Sequence, residues 1–207
     1  MRPRDPSRPR LAALVLAAGG STRLGRPKQL VRHRGTPLLV RAVQAAVAAA
    51  GRPVVVVLGA EAQRLRTVLA RRRLPARVVL NARWREGLAG SLAAGLEALP
   101  RRAAAALLLV VDQPEVDARA LRRLVRAWRG RPGLPAAARY DGLPGVPAIL
   151  PRRWWRAAKR LEGDQGARAL LRALPRITLT DMPQGALDVD APEDLARLRS
   201  GPREPRR

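Results

Sequence analysis

The sequence contains no cysteine, no phenylalanine and one histidine, His33. The absence of cysteine excludes a disulfide framework and any metal site built on cysteine ligands. A single histidine excludes a metal site with several histidines and any mechanism that needs two of them. No apolar run approaches the length of a membrane span, and the start, rich in Arg and Pro, lacks the apolar segment of a signal peptide. We therefore expect a soluble, cytoplasmic protein with no membrane contact.

Acidic residues are scarce beside basic ones, and the formal net charge is +25 over 207 residues. A charge of this size favours nucleic acid as a partner. The basic residues are nevertheless dispersed along the chain, and all except Lys28 and Lys159 are arginines. Aromatic side chains that could stack on bases are few, namely four Trp and one Tyr. The pattern is typical of a compositional bias, and we expect no specific nucleic-acid partner.

Apolar runs alternate with helical patterns between two basic tails. We assign residues 11–200 to a single domain, and the Arg and Pro content of residues 1–10 and 201–207 predicts disordered tails. Strands are expected at 11–17, 54–58, 77–80, 104–111, 135–138, 146–150 and 178–179. Helices are expected at 37–50, 60–73, 90–99, 118–128, 152–161, 165–174 and 191–198. This alternation predicts an α/β fold with a parallel or mostly parallel sheet.

A glycine-rich turn follows the first apolar run, Leu11 to Ala17, which is typical of a buried strand. Gly19 and Gly20 permit a close backbone approach that a Cβ atom would obstruct. Backbone N–H groups in such a turn can point together at an anion, and Arg23 and Lys28 bring cationic side chains to the same place. The stretch predicts a phosphate-binding loop; a plain turn between strand and helix is the alternative.

Two familiar phosphate loops do not match this stretch. Gly20 and Gly25 have the spacing of a P-loop, but Arg26-Pro27 stands where Lys and a hydroxyl residue are required. The dinucleotide fingerprint G-x-G-x-x-G is also missing.

Two carboxylate segments complete the candidate site. Asp112 follows the apolar run 104–111, so it is expected at the carboxyl end of a strand, where open α/β sheets bind ligands. A carboxylate beside nucleotide phosphates is a usual ligand of Mg²⁺, although Asp112 could instead cap a turn. Asp188 and Asp190 point to the same side if their segment is extended. Glu193 and Asp194 fit the first turn of a helix, where acidic side chains are favourable.

The glycine loop resembles the signature L-A-[AG]-G-x-S-x-R-[ML]-G-x-x-K of the MobA-like nucleotidyltransferases of molybdenum cofactor biosynthesis. Asp112-Gln113-Pro114 and Asp188-Val189-Asp190-Ala191-Pro192-Glu193-Asp194 resemble the metal-binding motifs of that family. The resemblance implies that Asp112 and Asp190 bind Mg²⁺ and that Arg23, Lys28 and Asp112 are catalytic. The nucleotide-binding residues that it implies are Ala17, Ala18, Gly19, Gly20, Arg23, Lys28, Asn81 and Ser91.

Further segments extend the resemblance over roughly residues 11–198. Asn81 to Leu96 is similar to the family's N-x-x-W-x-x-G-x-x-x-S-L-x-x-G-[IL] segment, in which Ser91 could contact the nucleotide or instead be a helix N-cap. Gly145-Val146-Pro147 and residues 161–168 resemble the acceptor-side segments G-H-P and L-x-G-D-x-G-A-R. They imply that Gly145, Gly163 and Asp164 bind the acceptor, and Val146 stands in place of the usual His.

The resemblance implies a three-layer α/β/α Rossmann-like nucleotidyltransferase fold and transfer of CMP from CTP to molybdenum-bound molybdopterin, with release of pyrophosphate. Ala18 favours CTP, because the cytidylyl branch of the family resembles L-A-A-G and the guanylyl branch L-A-G-G. A recipient molybdoenzyme or its cofactor-insertion chaperone is a candidate partner. The alternatives are use of GTP, another phosphorylated acceptor (a sugar phosphate, phospholactate or methylerythritol phosphate), and a non-enzymatic nucleotide-binding chaperone.

Overall fold

Strands and helices alternate in the computed structural model of the protein, which describes residues 10–200 and the side chains of residues 10–198. The two predicted tails, 1–10 and 201–207, lie outside the described residues except for Arg10. The strands are β1 (Leu11–Ala17), β2 (Arg32–His33), β3 (Thr36–Pro37), β4 (Val54–Leu58), β5 (Ala76–Leu80), β6 (Ala105–Val110), β7 (Ala136–Tyr140), β8 (Leu143–Pro151) and β9 (Thr178–Asp181).

The α-helices are α1 (Leu38–Ala50), α2 (Ala62–Arg71), α3 (Leu88–Ala98), α4 (Ala118–Gly130), α5 (Trp155–Ala158), α6 (Ala167–Ala173) and α7 (Pro192–Ser200). Short 3-10 turns lie at Lys28–Leu30, Trp84–Glu86, Arg152–Trp154 and Pro183–Ala186. No helix within residues 10–200 is long and apolar enough to cross a membrane.

Seven strands form one sheet in the order β5-β4-β1-β6-β8-β7-β9. β1 pairs in parallel with β4 and β6, and the pairs β4–β5 and β7–β9 are parallel as well. Within this sheet β8 alone runs against its neighbours, β6 and β7. The predicted α/β fold with a mostly parallel sheet is therefore confirmed. β2 and β3 form a separate two-stranded ribbon that the sequence analysis did not predict.

Helices cover both faces of the sheet, as the contacts of β1 show. Its odd-numbered residues pack with residues of α1, α2, α4 and α7, and its even-numbered residues pack with α3, α5 and α6. Because successive side chains of a strand point to opposite faces, a strand covered on both faces must be apolar throughout. β1 is buried at every position, and the predicted three-layer α/β/α arrangement is confirmed.

The order of the strands creates a switch point between β1 and β6. The chain leaves β1 towards β4 on one side of the sheet and leaves β6 towards β7 and β8 on the other. Leu16 pairs with Val110, so the segments that follow both strands emerge at the same edge. In open α/β sheets this edge forms the crevice that binds ligands. The glycine loop and Asp112 therefore begin side by side.

The predicted boundaries of the strands and helices are confirmed in part and corrected in part. The strands predicted at 11–17 and 54–58 agree with β1 and β4 residue for residue. The helix predicted at 60–73 begins only at Ala62, because Glu61 adopts a left-handed conformation with a φ of 55°. The helix predicted at 152–161 is a 3-10 turn followed by the short α5, which ends at Ala158.

We expect the substitution Gly95→Ala to destabilise the protein by about 1–3 kcal/mol, because it overpacks a closed core. A Cβ atom at Gly95 of α3 would lie 2.4 Å from Leu14 Cδ1 and 2.9 Å from Val57 Cγ2. Gly130→Ala at the end of α4 is the matched control, since a Cβ atom there meets nothing within 4 Å. Urea unfolding of both variants checks the difference, and equal stabilities would contradict this view of the α3–sheet contact.

Candidate active site

The glycine loop after β1 leaves a run of backbone donors unpaired. Within residues 10–200, the backbone N–H groups of residues 19–23 donate no hydrogen bond, whereas those of Leu24 and Gly25 both donate to Ser21 O at 3.1 Å. A Cβ atom at Gly19 would meet nothing within 4 Å. Successive free N–H groups in a turn with open space above them are the type of structure that accommodates an anion.

Two buried or half-buried side chains hold this loop in shape. Gln29 is only 1% exposed, and its Nε2 donates to Ala17 O at 3.0 Å and to Gly19 O at 2.8 Å. Ser21 has a left-handed φ of 55°, and its Oγ accepts a hydrogen bond of 3.0 Å from Lys28 N. The glycine-rich segment is thus anchored at both ends while its middle stays free of protein partners. The sequence analysis assigned no role to Gln29. Its position directly after Lys28 was the one feature of the sequence that could have indicated a role in the loop.

Lys28 joins the loop to both predicted metal-binding carboxylates. Its Nζ lies 2.7 Å from Asp112 Oδ2 and 2.6 Å from Asp190 Oδ1. Arg23 Nη2 lies 3.1 Å from Asp190 Oδ2. Asp112 follows the end of β6, and Asp190 lies in the segment before α7. They are separated from Lys28 by 84 and 162 positions in the sequence, yet both contact its ammonium group. The structure brings together all four residues that the sequence placed at the reaction centre.

The carboxylates of Asp112 and Asp190 determine the protonation state of Lys28. Burial by itself would lower the pKa of Lys28, but the carboxylates of Asp112 and Asp190 outweigh it, so the pKa of Lys28 is raised. Lys28 is therefore an ammonium ion at neutral pH and can neutralise negative charge at the crevice.

Asp188 is a third acid beside this pair. Burial and the charge of Asp112 raise the pKa of Asp188 to about 6, although Arg168 opposes the shift. Arg168 Nη2 lies 3.5 Å from Asp188 Oδ2. Asp188 therefore lies close enough to Asp112 and Asp190 for their charges to act on it.

The donor set fits a hard divalent cation. Asp112 Oδ1 and Asp188 Oδ1 are buried and have no hydrogen-bond partner within the described part of the chain. A cationic group, the Lys28 ammonium, already lies between Asp112 and Asp190. No group of three or more His, Cys, Asp or Glu among the described residues is arranged to hold a metal by itself. Two carboxylates with positions left for phosphate and water are what Mg²⁺ uses at nucleotide sites.

Backbone bonds position the two carboxylate segments. Val189 N donates to Asp112 O at 2.9 Å, which ties the segment before α7 to the end of β6. Asp194 Oδ2 accepts hydrogen bonds of 2.9 Å from Asp190 N and Ala191 N. Asp194 is the third residue of α7, so this is one half of a capping box. The interpretation of Asp194 as a helix-start residue is confirmed, and its carboxylate also holds the backbone of Asp190.

Asn81 and Ser91 contact each other in a buried position beside the crevice. Asn81 Nδ2 donates to Ser91 Oγ at 3.0 Å, and Asn81 Oδ1 accepts from Arg83 N at 3.1 Å. The N-cap of α3 is Gly87, so the alternative interpretation of Ser91 as an N-cap is wrong. Ser91 lies one turn inside the helix and is 2% exposed. The nucleotide contact of Asn81 and Ser91 stays a prediction.

Trp84 packs against the glycine loop and leaves no room for a side chain at two glycine positions. A Cβ atom at Gly20 would lie 2.9 Å from the Trp84 ring, and one at Gly59 would lie 2.5 Å from Trp84 Cβ. The Arg85 guanidinium carbon lies 4.4 Å from the centre of the same ring, within the range of a cation–π contact. Gly20 therefore allows the loop to approach Trp84, whereas Gly19 faces open space.

The predicted acceptor residues Gly163 and Asp164 lie against the start of α3. Gly163 O accepts a hydrogen bond of 3.0 Å from Ala89 N. Gly87 has a φ of 114°, and a Cβ atom there would lie 2.2 Å from Gly163 O and 2.8 Å from Asp164 N. The acceptor-side segment and the nucleotide-side segment are thus in direct backbone contact.

Gly145 belongs to a second group of contacts, around Tyr140. A Cβ atom at Gly145 would lie 2.3 Å from Tyr140 Oη. Tyr140 Oη donates to Val146 O at 3.0 Å and accepts a bond of 3.0 Å from Arg168 Nη2. Gln113, next to Asp112, is buried and its Nε2 donates to Val146 O at 3.0 Å. The only tyrosine of the chain therefore links β8 to Arg168, a role that the sequence analysis did not assign.

We expect the substitution Asp188→Asn to stabilise the metal-free protein in a pH-dependent way. The folded-state pKa of about 6 lies above the ordinary 3.8, so ionisation of Asp188 opposes folding. The penalty is absent below pH 3.8, grows between pH 3.8 and about 6, and is complete above that. Allowing for partial exposure, the variant gains about 1 kcal/mol over wild type between pH 4 and pH 7.

Urea unfolding in EDTA across this pH range measures the gain. Asp188→Glu, which keeps a carboxylate in place, is the control and should retain the wild-type pH dependence. A difference between Asp188→Asn and wild type that does not change with pH would contradict the prediction.

Residues 13–178 match the family described as MobA-like NTP transferase domain. The chain is 35% identical over 208 residues to the nicotine blue oxidoreductase of Paenarthrobacter nicotinovorans, a match that covers 94% of this chain and 98% of that protein. It is 34% identical over 174 residues to a protein of Opitutus terrae named probable molybdenum cofactor guanylyltransferase, with 80% of each chain covered.

The crystal structure of Rv0371c from Mycobacterium tuberculosis H37Rv is similar over 94% of this chain and 100% of its own, with a TM-score of 0.79 and 30% identity. A structure of Rv0371c in complex with manganese is similar over 91% and 97%, with a TM-score of 0.73 and 29% identity. The family match spans most of the chain, and the fold and the joined motifs agree with it. This protein is a member of the MobA-like NTP transferase family of nucleotidyltransferases.

Proposed function

We propose that the protein is a Mg²⁺-dependent cytidylyltransferase that transfers CMP from CTP to molybdenum-bound molybdopterin. The observation that carries the proposal is the meeting of Lys28 with Asp112 and Asp190 beside the unpaired N–H groups of residues 19–23. Cationic charge, backbone donors and a carboxylate pair at one edge of the sheet suit a nucleoside triphosphate with its metal ion.

The reaction forms one bond and breaks one. A terminal phosphate oxygen of the acceptor attacks the α-phosphorus of CTP, and the bond from that phosphorus to the oxygen bridging to the β-phosphate breaks. The acceptor phosphate is already a nucleophile, so alignment and charge neutralisation supply most of the catalysis. Lys28 and Arg23 would neutralise the triphosphate and the leaving pyrophosphate, and the N–H groups of the glycine loop would orient it.

Asp112 and Asp190 are the residues that would hold Mg²⁺. When bound, the ion would offset the negative charge of the phosphates and of the transition state. The manganese complex of Rv0371c supports a divalent-cation site in this fold. Lys28 Nζ contacts both carboxylates at the crevice. The backbone around Asp190 is fixed by two hydrogen bonds, from Asp190 N to Asp194 Oδ2 and from Val189 N to Asp112 O.

The choice of CTP rests on the sequence Leu16-Ala17-Ala18-Gly19. Ala18 is buried, and its carbonyl accepts a hydrogen bond of 2.9 Å from Ala60 N, so this position shapes the start of the loop. The relative from Opitutus terrae is named a guanylyltransferase, and GTP is therefore the main competing nucleotide.

The molybdopterin acceptor rests on the family and on the segments around Gly145, Gly163 and Asp164. The segment of Gly163 and Asp164 borders the nucleotide side through the Gly87–Gly163 contact, so an acceptor bound there would lie next to the nucleotide. A recipient molybdoenzyme or insertion chaperone, a cytoplasmic location and the absence of a specific nucleic-acid partner stay predictions from the sequence.

A redox activity is the second candidate, because the relative from Paenarthrobacter nicotinovorans is named an oxidoreductase. The chain lacks the G-x-G-x-x-G dinucleotide fingerprint, whereas it carries the complete loop signature of the transferases. Oxidation of NADH or NADPH by the purified protein, coupled to the reduction of an added two-electron dye and in place of pyrophosphate release, would favour that activity.

We expect the substitution Asp112→Asn to lower the rate of pyrophosphate release by about two to three orders of magnitude, because it removes a charged metal ligand at the reaction centre. Asp141→Asn is the matched control, since Asp141 lies in an exposed turn after β7 with a φ of 50°, which Asn tolerates. Thermal melting verifies that both variants fold. A near-normal rate for Asp112→Asn would overturn the role of Asp112.

Nucleotide and acceptor are tested together by pyrophosphate release from CTP and from GTP, with Mg²⁺, in the presence and absence of molybdenum-loaded molybdopterin. We expect release from CTP that requires the pterin. Release from GTP alone would overturn the cytidylyl assignment, and tight binding of CTP without release would direct the search to a different acceptor.

A further inference from the structure

A second cavity, of about 710 Å³, lies behind the glycine loop rather than at the carboxylate pair. Its walls come from residues 26–34, from α2 and from α7. These helices cover the face of the sheet opposite to α3, which carries Ser91. The cavity thus lies on the other face of the sheet from Ser91, although Arg26 and Pro27 in its wall directly precede Lys28. Its volume is that of a site for a small organic molecule.

Four arginines line this cavity, namely Arg26, Arg32, Arg34 and Arg64, and no acidic residue is among the lining residues. Arg34 Nη2 lies 3.4 Å from Glu115 Oε2, and Arg64 Nη1 lies 3.8 Å from Glu61 Oε2. Both are long contacts, and both arginine side chains are exposed. Arg26 forms no ion pair within the described residues. Arg32 also forms no ion pair among the described residues, although its Nη1 donates to Gly35 O at 2.7 Å. Two of the four arginines therefore have no acidic partner in the described part of the chain, and the lining keeps an excess of positive charge.

Aliphatic side chains form the remaining surface, chiefly Leu30, Val31, Leu195 and Leu198. The lining contains no Trp or Tyr on which a base could stack. His33 in the wall has a pKa below its ordinary value, because burial and the neighbouring Arg41 and Arg34 disfavour its charged form. The cavity thus combines arginine donors with an aliphatic floor.

The segments of this chain that follow α7 do not complement such a cavity. Residues 201–207 carry three arginines and one glutamate, so their net charge has the same sign as the cavity. The occupant that the charges favour is an external anion.

We infer that this cavity is a second ligand site, which binds a small molecule with a diphosphate or similar phosphorylated group and an aliphatic body. Arginine binds phosphate oxygens through charge-assisted, often bidentate hydrogen bonds. The aliphatic floor would contribute by covering the apolar part of the ligand. This site is separate from the proposed transferase reaction.

Isothermal titration calorimetry in EDTA tests the inference, with geranyl diphosphate and inorganic pyrophosphate as probes. Geranyl diphosphate should bind more tightly than pyrophosphate, by about fourfold for each methylene that is buried. The double variant Arg32→Ala/Arg64→Ala should weaken geranyl diphosphate binding about tenfold or more. Equal affinity for geranyl diphosphate and pyrophosphate would overturn the inference that the cavity binds the aliphatic part of a ligand.

A charge-matched control separates this site from general attraction to a basic protein. Arg66 and Arg126 are exposed on α2 and α4 and do not line the cavity, so Arg66→Ala/Arg126→Ala should leave the affinity unchanged. Equal weakening by both double variants would overturn the site. A second result would also overturn the site: geranyl diphosphate binding that is lost in Lys28→Ala but complete in Arg32→Ala/Arg64→Ala. The probe would then occupy the glycine loop.

Pyrophosphate release from CTP should stay at the wild-type level in Arg32→Ala/Arg64→Ala, since neither arginine belongs to the proposed reaction centre. Circular dichroism verifies that the variant folds. Failure of the second site and failure of the transferase proposal are therefore observed in different assays.

Discussion

The ion pairs of Lys28 are the interaction on which the site depends. One ammonium group lies within 2.7 Å of Asp112 and 2.6 Å of Asp190, and so joins the loop after β1, the end of β6 and the segment before α7. Without a cation between them, two carboxylates at one point would repel each other in a half-buried crevice. Burial and the charge of Asp112 raise the pKa of the neighbouring Asp188 to about 6, so a third carboxylate without a cation of its own is held less readily as an anion.

A set of buried polar side chains holds the rest of the crevice in place. Gln29 binds the carbonyls of Ala17 and Gly19, and Gln113 binds those of Val146 and Gly185. Gln29 thereby joins the end of β1 to the glycine loop, and Gln113 joins β8 to the 3-10 turn at Pro183–Ala186. Buried polar groups require such partners. The loops around the site are therefore ordered by side chains from the residues next to the predicted catalytic ones.

Glycines divide into two kinds in this site. Gly20, Gly59, Gly87 and Gly145 are required by contacts inside the protein, because a Cβ atom at each would collide with Trp84, Gly163 or Tyr140. Gly19 has no such contact, and a Cβ atom there would face open space. This difference locates the open part of the crevice above Gly19, next to the free N–H groups of residues 19–23.

The sequence by itself determined the alternation of strands and helices, the exact extent of β1 and β4, and the residues expected at the reaction centre. Unbroken apolar runs and glycine turns are local patterns, and they are legible without knowledge of the fold. The antiparallel direction of β8, the Asn81–Ser91 contact, the roles of Gln29 and Tyr140, and the arginine-lined cavity were decided only by the tertiary structure. Each depends on residues far apart in the chain, such as Arg64 and Leu198, whose proximity arises from the packing of helices on the sheet and leaves no periodic signal in the sequence.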